Sequence, residues 1–314
     1  MASGLAAPTR PIGLRGRLSD LLLSRPGVLV LVLLAPPLLW LGVVFVGSLV
    51  ALLAQSFFSI DEFTGLVVRE FTLRTYGELF APANFDIIRR SVLMAAAVTL
   101  ASALLAFPIA WYAARYARGR LKAAFYLAVM LPLWSSYLVR IYAWKLILAK
   151  EGVVTYAAEA TGLMPLVDAI LAVPGLGGPS FSVSTYGTFI VFVYLWVPFM
   201  ILPLQAALER VPRSVLEASA DLGGDPRATF RHVVLPLALP GFAAGSIFTF
   251  SLTLGDYIVP QIVGTSTYYL GQVVYVQQGV AGNIPLAAAF SVVPIVIMGA
   301  YLMIARRMGA FDAM

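Results

Sequence analysis

An all-α membrane protein with six spanning helices is the fold the sequence predicts, on three observations. Apolar residues fill 61 % of the 314 positions and charged residues only 11 %, where a soluble chain of this length carries about a quarter charged residues. The apolar residues gather in runs of about 20 or more, the length a helix needs to cross a bilayer. The basic residues flank those runs in short segments, a pattern of topology and not a stripe for nucleic acid. The chain has no cysteine, which removes disulfides, thiolate chemistry and cysteine metal sites together.

Residues 1–26, rich in Gly, Ala and Pro with Arg10, Arg15, Arg17 and Arg25, read as a basic tail. A secretory leader is the competing reading, but the uncharged run from Val28 to Phe58 lacks a small-x-small cleavage site and exceeds the 7–15 residues of a signal core. Residues 27–58 are therefore expected to form the first span, with Pro36-Pro37 near its start. Residues 59–87 carry Asp61, Glu62, Arg69, Glu70, Arg74, Glu78 and Asp86 and read as an extramembrane segment with room for a short helix. Further spans are expected over about 91–112, 123–148, 188–208, 237–259 and 285–305. They are joined by a basic turn at 115–122, a Gly- and Pro-rich loop at 149–186, a polar loop at 210–236 and an uncharged loop at 260–283. Six spans put both ends of the chain on one side.

The sides follow from the basic residues. Fourteen of the 21 lie in the tail, the 115–122 turn, the 210–236 loop and the end of the chain, against five on the other side: Arg69, Arg74, Arg89, Arg90 and Lys150. The richer side is expected to be cytoplasmic.

The 210–236 loop has the strongest local signals. Ser214 and Glu217 form the S-x-x-E pattern of a capping box and predict a helix start. Gly223 and Gly224 are expected to end that helix with positive φ, and Asp225-Pro226 is an N-cap followed by proline at the first helical position. The expectation is two short helices joined by a glycine turn, with Arg213, Arg227 and Arg231 outside and His232 on the surface.

The pattern Glu217-Ala218-Ser219, then Gly223, nine residues, and Val233-Val234-Leu235-Pro236 resembles the E-A-A-x3-G-x9-I-x-L-P loop of ABC importer permeases, with Ser219 in place of the second Ala and Val233 in place of Ile. The resemblance implies a type I permease fold, a first helix plus a five-helix core over 88–308, in a bacterial cytoplasmic (inner) membrane with both termini, including 309–314, cytoplasmic. It implies that Glu217, Ala218, Ser219, Gly223, Arg227 and Arg231 couple the chain to an ATPase. It also implies two ATPase subunits holding ATP and Mg, a second permease subunit related but not identical, and an extracytoplasmic solute-binding protein, with no nucleic acid and no cofactor on this chain. The stretches F-T-L-R-T-Y-G-E-L-F, F-P-I-A-W-Y-A-A, L-P-L-W-S-S-Y-L-V-R-I-Y-A-W-K and L-G-D-Y-I-V-P-Q-I-V-G are similar to the first permease subunit of spermidine/putrescine importers. Relatives with these stretches also serve opines and other small organic solutes.

The residues themselves exclude several chemistries. The three lysines follow Leu121, Trp144 and Ala149, so the Gly-Lys of a phosphate-binding loop is missing. With one histidine, neither a histidine metal site nor a hydrolytic triad within the spans can be assembled. A self-sufficient carrier would need ion-coupling carboxylates at mid-span, and Asp256 is the one acid in an expected span.

Asp256 is therefore the candidate for the solute path, and Thr253, Thr249 and Gly245 lie on the same helical face. Tyr257, Trp134, Tyr137, Arg140 and Trp196 complete the candidate set, because an acid among aromatic rings suits an organic ammonium. Second roles stay open: Trp134 for the interfacial belt, and Arg140 as a structural ion-pair partner of Asp256. Gly241 and Gly245 have the small-x-x-x-small spacing of close helix packing.

Overall fold

A computed structural model describes residues 26–61 and 63–307. The basic tail to residue 25, Glu62 and the expected 309–314 terminus lie outside the described residues. The chain divides into two compact units, one reaching to Ala54 and one starting at Gln55.

The described residues of the first unit form one apolar helix, whose last residue opens the second unit: α1 over Pro26–Trp40, a π-helical turn at Leu41–Val46, and α2 over Gly47–Gln55. Pro36 and Pro37 lie inside α1, where each removes an N–H from the ladder and crowds the preceding turn. The wider π turn follows within one turn of them. None of the apolar window of this helix is buried.

The second unit opens on a two-residue antiparallel hairpin, β1 at Ser59–Ile60 and β2 at Val67–Val68. Asp61 closes it, its carboxylate accepting from Thr64 N–H (2.8 Å), Phe63 N–H (2.9 Å) and the Thr64 hydroxyl (3.1 Å). Those bonds hold its carboxyl below the usual carboxylate range. The short helix α3 (Arg74–Leu79) precedes α4 (Pro82–Arg115). The latter starts nine residues before the expected span because Pro82 opens the helix and Asp86 pairs with Arg89 (2.7 Å) and with Arg90. Charges paired within the helix let it continue past the apolar run.

The third span is not one rod. It consists of α5 (Gly119–Trp134) and α6 (Tyr137–Ile147), which meet at 94°. Between them Ser135 and Ser136 are extended, with ψ of 152° and 134°. The Ser135 hydroxyl and N–H both donate to the Pro132 carbonyl (2.8 and 3.3 Å), a local alternative to the helical ladder. Two short helices, α7 (Val153–Ala160) and α8 (Met164–Leu171), fill the loop that follows.

The central helix is α9 (Thr185–Glu209), with 61 % of its apolar window buried against 22–33 % for the other spans of this unit. Ser184 caps it by accepting from Gly187 N–H (3.0 Å). Two apolar clusters lie along α9. One joins Met94 and Val98 of α4, Ile141 of α6, and Phe192, Leu195 and Trp196 of α9. The other joins Ala106 and Ala110 of α4, Met200, Ile201, Leu204 and Leu208 of α9, and Val234 and Ala238.

After α10 (Arg213–Asp221) and α11 (Pro226–Thr229) come α12 (Leu235–Gly255), α13 (Ile258–Ile262), α14 (Leu270–Gly279) and α15 (Ile284–Arg307). The uncharged 260–283 segment is therefore largely helical. Helices α9 and α12 touch backbone to backbone. A β-carbon on Gly241 would lie 2.6 Å from Ala207 Cβ and 2.9 Å from Leu204 Cα, and one on Gly245 would lie 2.5 Å from Met200 Sδ.

Gly241→Ala is expected to cost about 1–3 kcal/mol by overpacking this contact and to lower the thermal unfolding midpoint of the detergent-solubilised protein. Gly299→Ala, with nothing within 4 Å of its added carbon, is the control expected to leave the midpoint in place. Equal midpoints for the two variants count against the close approach.

Candidate functional site

The 210–236 loop departs from its sequence reading at its start and agrees with it at its turn. The α10 helix begins at Arg213, with Pro212 (φ −65°, ψ 145°) as its N-cap and no side-chain capping bond. The Ser214–Glu217 box is thus not formed, because Pro212 fixes the helix boundary one residue before Ser214 can take the cap position. Glu217, Ala218, Arg227 and Arg231 are exposed, and so is His232.

Gly223 ends α10 with φ +80°, a conformation in which a side chain is strained. Gly224 does not share the positive φ. Asp225 then caps α11, its carboxylate accepting from Ala228 N–H at 2.6 Å, with Pro226 at the first position. Ser219 bonds Thr229 across the turn through their hydroxyls (2.8 Å), so the two arms are tied. The second arm is not a separate helix. It passes through a π-helical turn at Phe230–Val234 directly into α12, and Pro226–Gly255 forms one helical element of 30 residues. The π turn lies just before Pro236, whose missing N–H the wider ladder accommodates.

The opposite end of α12 carries the carboxylate. Asp256 lies just past the helix, in extended backbone (φ −73°, ψ 131°), and not within the span as its position in an apolar run suggests. Its Oδ1 accepts from Ile258 N–H (2.8 Å) and Val259 N–H (2.9 Å), which starts α13, and its other oxygen accepts from the Tyr137 hydroxyl. Thr249 and Thr253 do not continue the path to it. Both are buried, with Thr253 donating to the Thr249 carbonyl (2.7 Å) and Thr249 facing Thr99 (3.3 Å).

Around Asp256 the bent third span delivers its aromatic face. Tyr137 stacks on the buried Trp196 (5.9 Å between centroids, 21° between planes), and Trp144 packs on Tyr194 (5.1 Å). The Arg140 guanidinium lies 5.9 Å from the Tyr137 ring centroid. No ion pair joins Arg140 to Asp256 among the described residues, so the structural pairing open to them in the sequence is not made. Trp196, Ser251, Leu252, Gly255, Asp256, Tyr257 and Ile258 line a cavity of about 340 Å³. Tyr257 is stacked at 4.8 Å on Tyr275 of α14, a residue that sequence reasoning passed over inside an apparently structureless loop. Trp134 stands apart: it ends α5 with 74 % of its surface exposed.

The two ends of α5 show how it runs. Near its start Lys122 and Tyr126 reach Glu209 at the end of α9 (both 3.1 Å), and just past its end Tyr137 reaches Asp256 at the far end of α12. The α5 helix therefore joins the loop end of the bundle to the carboxylate end, as a spanning segment does. With the bent pair counted as one, the spans among the described residues number six.

Residues 106–310 match the family described as binding-protein-dependent transport system inner membrane component. The chain is 57 % identical over 310 residues to the inner membrane ABC transporter permease protein YdcU of Escherichia coli (strain K12), covering 99 % of this chain and 98 % of that one. The spermidine/putrescine transport system permease protein PotB of the same strain is 29 % identical over 257 residues, 82 % of this chain and 89 % of the relative. Among solved structures, a chain of the bacterial alginate ABC transporter in complex with alginate pentasaccharide-bound periplasmic protein superposes with a TM-score of 0.69 at 14 % identity, over 95 % of this chain and 97 % of that one. That likeness is one of fold. With the helical architecture, the loop and the family match in agreement, this chain belongs to the inner membrane components of binding-protein-dependent transport systems and is a permease subunit of the ABC importer class.

Proposed function

We propose that this permease carries a small organic cation, a polyamine such as spermidine or putrescine, across the inner membrane. An extracytoplasmic binding protein delivers the solute, and partner ATPase subunits holding ATP and Mg drive the cycle. The observation that carries the solute class is Asp256: a carboxylate on a cavity wall, compensated by two N–H groups and a phenol but by no cation among the described residues, close to the rings of Trp196, Tyr137 and Tyr257. An ammonium supplies the missing positive charge, and a neighbouring ring adds about 0.5–2 kcal/mol of cation–π attraction. The relative PotB, a permease of a spermidine/putrescine transport system, supports the same class.

The loop is the element on which the ATPases act in this reading. Its exposed Glu217, Arg227 and Arg231 face out, its turn is held by Gly223 and by the Ser219–Thr229 bond, and its second arm is continuous with α12. A displacement of the loop thus moves α12 lengthwise without an intervening break. ATP closes the ATPase dimer, the loop is drawn with it, and the spans rock until hydrolysis resets them. The side with fourteen of the 21 basic residues is cytoplasmic, which puts both termini and the loop where the ATPases are. The second permease subunit is a related chain, and the pair encloses the path.

Glu217→Lys and Gly223→Asp are each expected to abolish uptake of radiolabelled putrescine while the subunit stays in the membrane at its usual level; wild-type uptake in both variants refutes the docking role. Asp256→Asn keeps an oxygen for the Ile258 and Val259 N–H groups and removes the charge. Losing a charged hydrogen bond of about 1.5–3 kcal/mol lowers putrescine uptake at least about tenfold with unchanged membrane abundance. Loss of abundance instead, or uptake within twofold of wild type, assigns Asp256 to structure alone.

A further inference from the structure

We propose that Glu209 is a positioning residue that latches the third span to the coupling loop, so that movement of the loop reaches the Asp256 cavity through α5 and α6 as well as through α12. The inference rests on the coupling role given to the loop above.

Glu209 is the last residue of α9, four positions before α10 begins. One of its oxygens, Oε1, accepts from three side chains at once: Lys122 Nζ (3.1 Å), the Tyr126 hydroxyl (3.1 Å) and Gln205 Nε2 (3.0 Å). Lys122 and Tyr126 are one turn apart on α5, and Gln205, itself buried, fixes the carboxylate from the preceding turn of α9. The α5 helix has no buried side chain of its own. A helix that lacks a buried face is held by its few specific contacts, and this one is charged and directional.

The other end of the same helix makes the connection functional. From Lys122 to Trp134 is about 18 Å at helical rise, after which the Ser135–Ser136 corner turns the chain into α6. Tyr137 sits at that corner, on Trp196 and on the Asp256 carboxylate. The α5 rod, fixed at Glu209 and ending at the corner that carries Tyr137, passes a shift at the loop to Asp256 and Trp196 on the wall of the cavity. If Glu209 let go, α12 would still carry the loop's motion to Asp256, but the Tyr137 side of the cavity would stay behind.

The absence of cysteine makes the chain a ready background for paired spin labels in the importer purified with its ATPase subunits. Labels at Leu138→Cys and Val183→Cys, both exposed, read the α6 end; labels at Leu222→Cys and Val183→Cys read the loop. With Glu209 in place, ATP is expected to shift both distances by about 2 Å or more. In Glu209→Lys the Leu222 pair still responds and the Leu138 pair loses more than half its shift. The exchange Lys122→Glu with Glu209→Lys restores it. A merely structural role for Glu209 would diminish both pairs together and is thereby told apart. A full Leu138 response in Glu209→Lys, or no recovery in the exchange, overturns the latch. Silence of the Leu222 pair with Glu209 in place overturns the coupling reading itself, and the latch with it.

Discussion

The close approach of α9 and α12 is the contact on which the rest of the molecule depends. At Gly241 and Gly245 the two backbones come nearer than any side chain would allow, against Leu204, Ala207 and Met200. In a bilayer there is no water to expel between helices, so association rests on van der Waals contact, and small residues are what permit it. With α12 pressed on the central helix, its two ends have fixed places. One end continues into the loop at Pro226, and the other breaks at Asp256. A single rod therefore spans from the exposed Arg227 and Arg231 to the carboxylate, and what happens at one end has a mechanical route to the other.

How much of this was legible in the sequence depends on how local the cause is. Gly223 with its positive φ and Asp225-Pro226 as cap and first turn were readable because each conformation is decided by two or three neighbouring residues. The Ser214–Glu217 box was equally local and failed, since a proline two residues upstream outranked it. The spans were readable as composition, but their breaks were not. An apolar window passes over Ser135–Ser136 without registering that Pro132 and two hydroxyl side chains there favour a corner. In the same way the uncharged 260–283 segment concealed α14, and Tyr275 with it. Bonds that join distant positions leave no local trace: Tyr126 and Glu209 are 83 residues apart, and nothing around either announces the other.

The bend in the third span changes what its residues can do. On a straight helix Tyr137, Arg140 and Trp144 would climb past the end of the bundle as an interfacial belt. Turned through 94°, they lie across it, and Tyr137 and Trp144 meet α9 at Trp196 and Tyr194. Tyr137 reaches Trp196 and Asp256, two residues of the cavity wall, for this reason, and Trp134, on the near side of the corner, is left facing outward. Sequence reasoning named Tyr137, Trp196 and Asp256 from separate stretches and lacked the one geometric fact that brings them into contact.

The same region keeps polar atoms without partners among the described residues. Arg140 Nε and Trp196 Nε1 are buried and unbonded beside the cavity, and Arg115 Nε and Nη2 are in the same state at the opposite end, where its guanidinium sits 5.1 Å from the Trp111 ring. Each such group costs about 1–3 kcal/mol relative to a satisfied one, and apolar replacements of similar volume would remove the cost. The Ser102 Oγ in α4 and the Tyr269 hydroxyl are in the same state elsewhere in the bundle. Arg140 in particular keeps its guanidinium against a tyrosine face while a carboxylate bonded to that same tyrosine goes without a cation. On the proposed function, keeping them apart leaves the Asp256 carboxylate open to a cationic solute.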